Sequence, residues 1–284
     1  MMFDTLIGCG QLAGQLDNPD WRIFDCRFDL AATSRGEQAY AEAHLPDAIY
    51  AHLDRDLSSP ITPQSGRHPL PEPERLCDWL GRHGIAPGTQ VVAYDDSGGT
   101  MAVRLWWLLR WLGHPRVAVL NGGWQAWTDA GLPLQDNASK AVGAIPFVGR
   151  PDWDQVVSTA TLQRQLSSGG ELQLVDARTA ERFRGEAEPI DPVAGHIPGA
   201  INIPLQDNLG SDGRFRPAEA LRTMYLQALA GTPADKVVAM CGSGVTACHN
   251  LLAMECAGLS GGRLYAGSWS EWIRDPERAV ATTV

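Results

Sequence analysis

The feature that most constrains this chain is that it is written twice. Phe24-Asp25-Cys26-Arg27 returns 151 positions later as Val175-Asp176-Ala177-Arg178, and His44-Leu45-Pro46-Asp47-Ala48-Ile49 returns 152 positions later as His196-Ile197-Pro198-Gly199-Ala200-Ile201. Val91-Val92-Ala93-Tyr94 returns as Val237-Val238-Ala239-Met240, and Gly123-Trp124-Gln125-Ala126-Trp127 as Ser268-Trp269-Ser270-Glu271-Trp272. Blocks matched in the same order at so long a period describe a duplicated domain and not a short solenoid unit. At 284 residues the chain is long enough for two domains, each with its own core.

Within each copy, short apolar runs alternate with helical patterns. Arg22-Ile23-Phe24, Gln90 to Tyr94 and Arg116 to Leu120 read as strands, and Met101 to Leu112, crowded with Leu and Trp, as the clearest helix. This alternation implies an α/β fold in which each copy is a mainly parallel sheet covered by helices on both faces. The expected boundaries are a first domain over 1–134, a linker over 135–152 and a second domain over 153–284. The linker starts polar, from Gln135 to Lys140, and its Ile145, Phe147 and Val148 are expected to lie against a domain surface. The repeated Trp residues read as core and interdomain packing.

One stretch breaks the pattern of apolar runs and connecting turns. Cys241-Gly242-Ser243-Gly244-Val245-Thr246-Ala247-Cys248 follows the run Val237 to Met240 and precedes a helical stretch from His249 to Cys256. Strand, glycine-bearing turn and helix start leave backbone N–H groups without carbonyl partners, and these can converge on whatever Cys241 carries. The positive end of the helix dipole favours a thiolate there, so Cys241 is a candidate nucleophile. Gly242 and Gly244 let the backbone close round the sulfur, and Ser243 and Thr246 add hydroxyl donors. Cys248 and Cys256 lack such neighbours and read as small buried hydrophobes.

Charge and cysteine usage exclude several function classes. Lys and Arg number 23 against 33 Asp and Glu, a net charge of −10, which argues against nucleic acid or an anionic membrane as partner. The six cysteines form no CxxC pair and no ligand grouping with His, so neither zinc nor a disulfide framework is indicated. The segment Met1 to Gly8 has an acid where a signal peptide would have bases, and no run reaches the ~20 apolar residues of a membrane span. A soluble, cytoplasmic protein is expected.

The loop Cys241 to Cys248 resembles the active-site loop of the two-domain sulfurtransferases of the rhodanese superfamily. Its Gly-Ser-Gly run is closer to the 3-mercaptopyruvate enzymes than to the thiosulfate enzymes, which carry Arg-Lys after the cysteine. The resemblance spans almost the whole chain. It implies two tandem rhodanese-like domains and a reaction in which Cys241 takes sulfur from a small-molecule donor, becomes a persulfide and passes the outer sulfur to a thiophilic acceptor. Cyanide, a small thiol or thioredoxin would serve as acceptor, with no metal or organic cofactor. The backbone of Gly242, Gly244, Val245 and Thr246 would line the donor site. Position 241 is matched in the first copy by Asp95, which cannot carry sulfur, so the first domain is expected to be inactive and to supply one wall of the cleft.

The resemblance also implies a donor-binding arginine, and Arg182 holds the matching position in Asp176-Ala177-Arg178-Thr179-Ala180-Glu181-Arg182; its planar fork suits a carboxylate. Arg178 mirrors Arg27 and reads as structural. The sequence departs from the 3-mercaptopyruvate pattern at Glu188-Pro189-Ile190, where those enzymes commonly have a second arginine. A proton relay implied by the resemblance would use Asp54, His68 and Ser243. His44 and His196, present in both copies, read as structural residues bonding local backbone. Three alternatives stay open beside mercaptopyruvate sulfurtransfer: a thiosulfate:cyanide enzyme, a non-catalytic persulfide carrier, and a Cys-dependent phosphatase, which the absence of an arginine at Ala247 disfavours.

Overall fold

A computed structural model describes residues 2–137, 139–140 and 142–283. Ala138 and Ala141 of the expected linker, and the terminal Met1 and Val284, lie outside the described residues. Two compact units are formed, one from Met1–Ser59, Leu70–Asp152 and Ser211–Phe215, the other from Pro60–Pro69, Trp153–Gly210 and Arg216–Val284. Each unit is built mainly from one copy of the repeat, with two short segments exchanged. A ten-residue segment from the first half, Pro60–Pro69, counts with the second unit, and Ser211–Phe215 with the first.

The first unit runs β1 (Leu6–Ile7), α1 (Cys9–Ala13), β2 (Trp21–Asp25), α2 (Arg35–Glu42), β3 (Ile49–Tyr50), α3 (Pro73–Arg82), β4 (Gln90–Tyr94), α4 (Ala102–Trp111), β5 (Val117–Leu120) and α5 (Gly123–Asp129). Its strands pair in parallel in the order β1-β5-β4-β2-β3. Every residue of β4 and β5 is buried, which is why both read as unbroken apolar runs. Helix α4 has a buried face on nearly every side, with Trp106, Trp107 and Trp111 in the core.

The second unit runs α6 (Thr159–Ser168), β6 (Gln173–Asp176), α7 (Ala180–Arg184), β7 (Ile201–Asn202), α8 (Ala218–Leu229), β8 (Val237–Met240), α9 (Ala247–Cys256), β9 (Arg263–Leu264) and α10 (Ser268–Trp272). Its parallel sheet has the order β7-β6-β8-β9, and a single bridge from Val156 to Leu264 stands where β1 pairs with β5 in the first unit. Helix α6 begins at Ser158, whose side chain accepts from Thr161 N, and ends at Gly169 with φ of 66°. The core packs Leu162, Leu174, Ile197, Val238, Met240, Tyr265, Trp269 and Trp272 together.

The segment read as a linker packs on the first unit, and mostly through its backbone. Ile145 N donates to Gly81 O (2.9 Å), Arg150 N to Leu112 O (3.0 Å) and Asp152 N to Trp111 O (2.9 Å). Phe147 packs beside His114, with ring centroids 5.9 Å apart. Ile145 and Val148 do not dock as expected and are 42% and 86% exposed. No helix among the described residues is long and apolar enough to cross a membrane.

Candidate active site

Open α/β sheets present ligand-binding loops at the carboxyl ends of their central strands. In the second unit that place follows β8, which lies between β6 and β9, and its first residue is Cys241. The loop is tied to the start of α10: Trp269 N donates to Cys241 O (3.0 Å) and Ser270 N to Gly242 O (2.9 Å). Cys241 N donates to Ser268 Oγ (3.1 Å), and that hydroxyl donates in turn to Tyr265 O (2.9 Å). Ser268 is fully buried with φ of 53°, a left-handed conformation costly for a non-glycine residue. Its counterpart in the repeat is Gly123, with φ of 54°. The second copy therefore retains a strained serine whose hydroxyl anchors the cysteine's own amide.

Cys241 is 1% exposed, and its Sγ accepts from Gly244 N at 3.1 Å. Gly244 has φ of 79°, and a Cβ there would stand 2.2 Å from Ala266 O, so backbone angle and space both demand glycine. Gly244→Ala is expected to move this amide off the sulfur and to lower kcat/KM by about 10²-fold, with about 1–3 kcal/mol lost from stability. Steady-state kinetics and thermal unfolding of the variant check both figures. Val245 is buried and Thr246 precedes the first turn of α9, where Cys248 N and His249 N donate to their carbonyls.

The first unit shows what such a loop can hold. Asp95, buried at the position matching Cys241, accepts four backbone amides: Ser97 N (2.9 Å) and Gly99 N (2.8 Å) on Oδ1, Met101 N (2.7 Å) and Ala102 N (2.8 Å) on Oδ2. The repeat matches these amides to those of Ser243, Val245, Ala247 and Cys248. The first loop is thus an anion cradle filled by its own carboxylate.

Two guanidiniums face the Cys241 loop. A Cβ on Gly242 would meet Arg67 Nη2 at 2.9 Å and the Arg182 Nη atoms at 3.5 and 3.6 Å. Arg182 donates from Nε to both oxygens of Glu188 (3.1 Å each) and from Nη2 to Glu188 Oε1 (2.7 Å) and Asp191 Oδ2 (3.1 Å). Arg67 donates to the other oxygen of Asp191. Glu188 also accepts from Ile190 N (3.1 Å) and Asp191 N (3.0 Å). Burial pushes both carboxyls up; at Glu188 the Arg182 and backbone bonds outweigh it and hold the group below its usual range, whereas Asp191 stays above.

Arg178 has the structural role read for it. It grips Asp176 through Nε (3.1 and 3.0 Å) and Nη2 (2.7 Å), donates to Gly195 O (2.8 Å) and lies 4.7 Å over the Trp269 ring. Arg27 repeats this with Asp25, Ala43 O and the Trp124 ring. The paired histidines also match their reading. His44 Nδ1 bonds Tyr40 O (2.8 Å) and stacks on Tyr40, and His196 Nδ1 bonds Phe183 O (2.7 Å) and stacks on Phe183.

His68 Nδ1 and Ser243 Oγ are 2.7 Å apart and both buried. The serine hydroxyl, read as a donor to the loop, is therefore engaged with His68. Asp54, the third member of the expected relay, belongs to the first unit, where its amide donates to His52 Nδ1 (3.1 Å). No local sequence pattern singles out Arg67. Its adjacency to His68 was the only signal, since its partners lie more than a hundred positions away.

A family profile for the rhodanese-like domain matches residues 9–130 and 158–275. A probable 3-mercaptopyruvate sulfurtransferase of Pseudomonas aeruginosa is 52% identical, over 98% of each chain. A putative thiosulfate sulfurtransferase of Mycobacterium tuberculosis is 38% identical, over 97% of this chain and 96% of the relative. The solved 3-mercaptopyruvate sulfurtransferase of Escherichia coli superposes with a TM-score of 0.81 at 29% identity, over 95% of this chain and all of that one. Two parallel sheets whose shared strands run in the same order, one ending in an aspartate-filled cradle and the other in a cysteine loop, and a profile match to both copies place this chain in the rhodanese family.

Proposed function

We propose that the chain is a sulfurtransferase that moves sulfur from 3-mercaptopyruvate to a thiophilic acceptor through a Cys241 persulfide, with a catalytically inactive first domain. The observation that carries this reading is the conjunction at one loop of a sulfur held by the Gly244 amide and two guanidiniums beside Gly242. In the first step the Cys241 thiolate attacks the donor's sulfur. The new S–S bond forms as the C–S bond breaks, and the C–S electron pair leaves on carbon as the enolate of pyruvate, which takes up a proton. In the second step the acceptor, cyanide or a thiol such as thioredoxin, attacks the outer sulfur, and the S–S pair returns to Cys241. No net oxidant is required, and ping-pong kinetics are the signature.

Arg182 and Arg67 bind the donor carboxylate in this reading, Arg67 taking the place of the second arginine absent at Ile190. The amides of the loop, including those of Gly242, Gly244, Val245 and Thr246, stabilise the anionic persulfide. Ser243, hydrogen-bonded to His68, polarises the donor's carbonyl side and delivers the proton. The reaction suits a reducing, cytoplasmic setting. The Gly-Ser-Gly loop, without a lysine, favours a monoanionic donor over thiosulfate.

Steady-state kinetics with both donors test the reading. The wild type is expected to use mercaptopyruvate with the higher kcat/KM, and Arg182→Ala and Arg67→Ala are each expected to lower it by about 10²-fold, chiefly through KM. A higher efficiency with thiosulfate, or mercaptopyruvate turnover unmoved by Arg182→Ala, contradicts the donor assignment.

A further inference from the structure

The two guanidiniums at the loop are not free cations. Asp191 bridges them, one carboxylate oxygen on Arg67 and the other on Arg182 at 3.1 Å. Glu188 occupies the rest of the Arg182 fork and also reaches Arg178 at 3.4 Å, while Asp176 takes the other side of Arg178. Three guanidiniums thus meet three carboxylates in one connected network, and the Asp191 side chain is only 4% exposed. Asp191 also sits one residue beyond the exposed Ile190, on a loop pinned by the bond from Trp269 Nε1 to Val193 O (2.9 Å).

We infer that Asp191 is a specificity-determining residue: its carboxylate cancels one positive charge between Arg67 and Arg182, so the donor site favours a monoanion and penalises a dianion. This rests on the reading of Cys241 as the sulfur-accepting nucleophile and refines which donor it takes. A monocarboxylate needs the bidentate geometry of the guanidiniums but little surplus charge. A dianion such as thiosulfate gains about twice as much from each added unit of positive charge at the same distance. Bridging also holds the two forks in one place, a geometric service that any isosteric side chain would partly supply, whereas the charge penalty requires the carboxylate.

The test compares kcat/KM for thiosulfate and for 3-mercaptopyruvate in wild type, Asp191→Asn, Asp191→Ser and Asp191→Glu. Because kcat/KM for a donor is set before the acceptor enters, the ratio cancels the acceptor step. Both neutral variants are expected to raise the thiosulfate-to-mercaptopyruvate ratio on the order of tenfold, mostly in the thiosulfate KM, and the gain is expected to shrink as salt is raised. Asp191→Glu is expected to hold the wild-type ratio. An unchanged ratio in whichever neutral variant folds, or an equal rise in Asp191→Glu, overturns the inference. Failure of the underlying reading looks different: wild type would then release no pyruvate from mercaptopyruvate at all.

Discussion

Cys241→Ser is expected to abolish sulfur transfer from either donor, with a loss of at least about 10⁴-fold in kcat/KM. The replacement changes one atom and little else. The Gly244 amide can still donate to an oxygen at that position, and the bonds from Ser270 N to Gly242 O and from the residue-241 amide to Ser268 Oγ do not involve the replaced atom. The unfolding midpoint is therefore expected to stay within a few degrees of wild type. What is lost is chemical: a serine alcohol is far harder to ionise than a thiol, and oxygen cannot store sulfane sulfur for a second step. Steady-state assays with both donors, run beside thermal unfolding, separate a dead nucleophile from a damaged fold. Retained turnover in a folded Cys241→Ser protein would place the chemistry elsewhere.

The largest effect on stability is expected at Arg178. Its side chain is 1% exposed and its partner Asp176 is fully buried. Arg178→Ala would leave that carboxylate desolvated without a counter-charge. It would also orphan Gly195 O, remove the cation over Trp269 and take one of its two guanidinium partners from Glu188 Oε2. Stripping one partner from a buried pair costs about 3–5 kcal/mol, because the remaining charge keeps its desolvation penalty. In a domain of this size that is a fall in midpoint on the order of 10 °C. Arg178→Lys is not expected to rescue it, since an ammonium cannot reproduce the paired Nε and Nη2 bonds to Asp176. Arg27→Ala should behave alike in the first unit, where Arg27 and Asp25 are 4% and 0% exposed. Calorimetric unfolding checks both variants; losses under about 1 kcal/mol would show that these pairs contribute little net stability.

The strands of this protein were legible because both faces of each sheet are covered. Val237 to Met240 and Val91 to Tyr94 are apolar without alternation, and all of them are buried. The Cys241 loop was legible because glycines at 242 and 244 have no role in a strand or helix interior; at Gly244 a Cβ would collide with Ala266 O, and Gly242 faces the two guanidiniums. Duplication did further work, since a residue present in the copy bearing Asp95 cannot owe its place to the cysteine. That separates Arg178 and His196 from Arg182 on sequence alone.

Other features were hidden for a physical reason: they depend on contacts between distant parts of the chain. Arg67 and Asp191 stand 124 positions apart, so no local pattern announces their pairing. The positive φ of Ser268 follows from a repeat position held by Gly123 in the first copy, and a serine gives no warning of it. Hydropathy predicts docking for Ile145 and Val148, but that segment is fixed by backbone bonds to Gly81, Leu112 and Trp111, which composition does not encode. The membership of Pro60–Pro69 in the second unit was equally invisible, and it carries both Arg67 and His68 to the loop.

The most direct measurement is the intact mass of the protein after brief exposure to 3-mercaptopyruvate without acceptor, followed by peptide mapping. Wild type is expected to gain about 32 Da, one sulfur atom, on the peptide containing Cys241, and to lose it when cyanide or a thiol is added. A gain confined to Cys248 or another cysteine, or no gain while pyruvate is still released, would contradict the account.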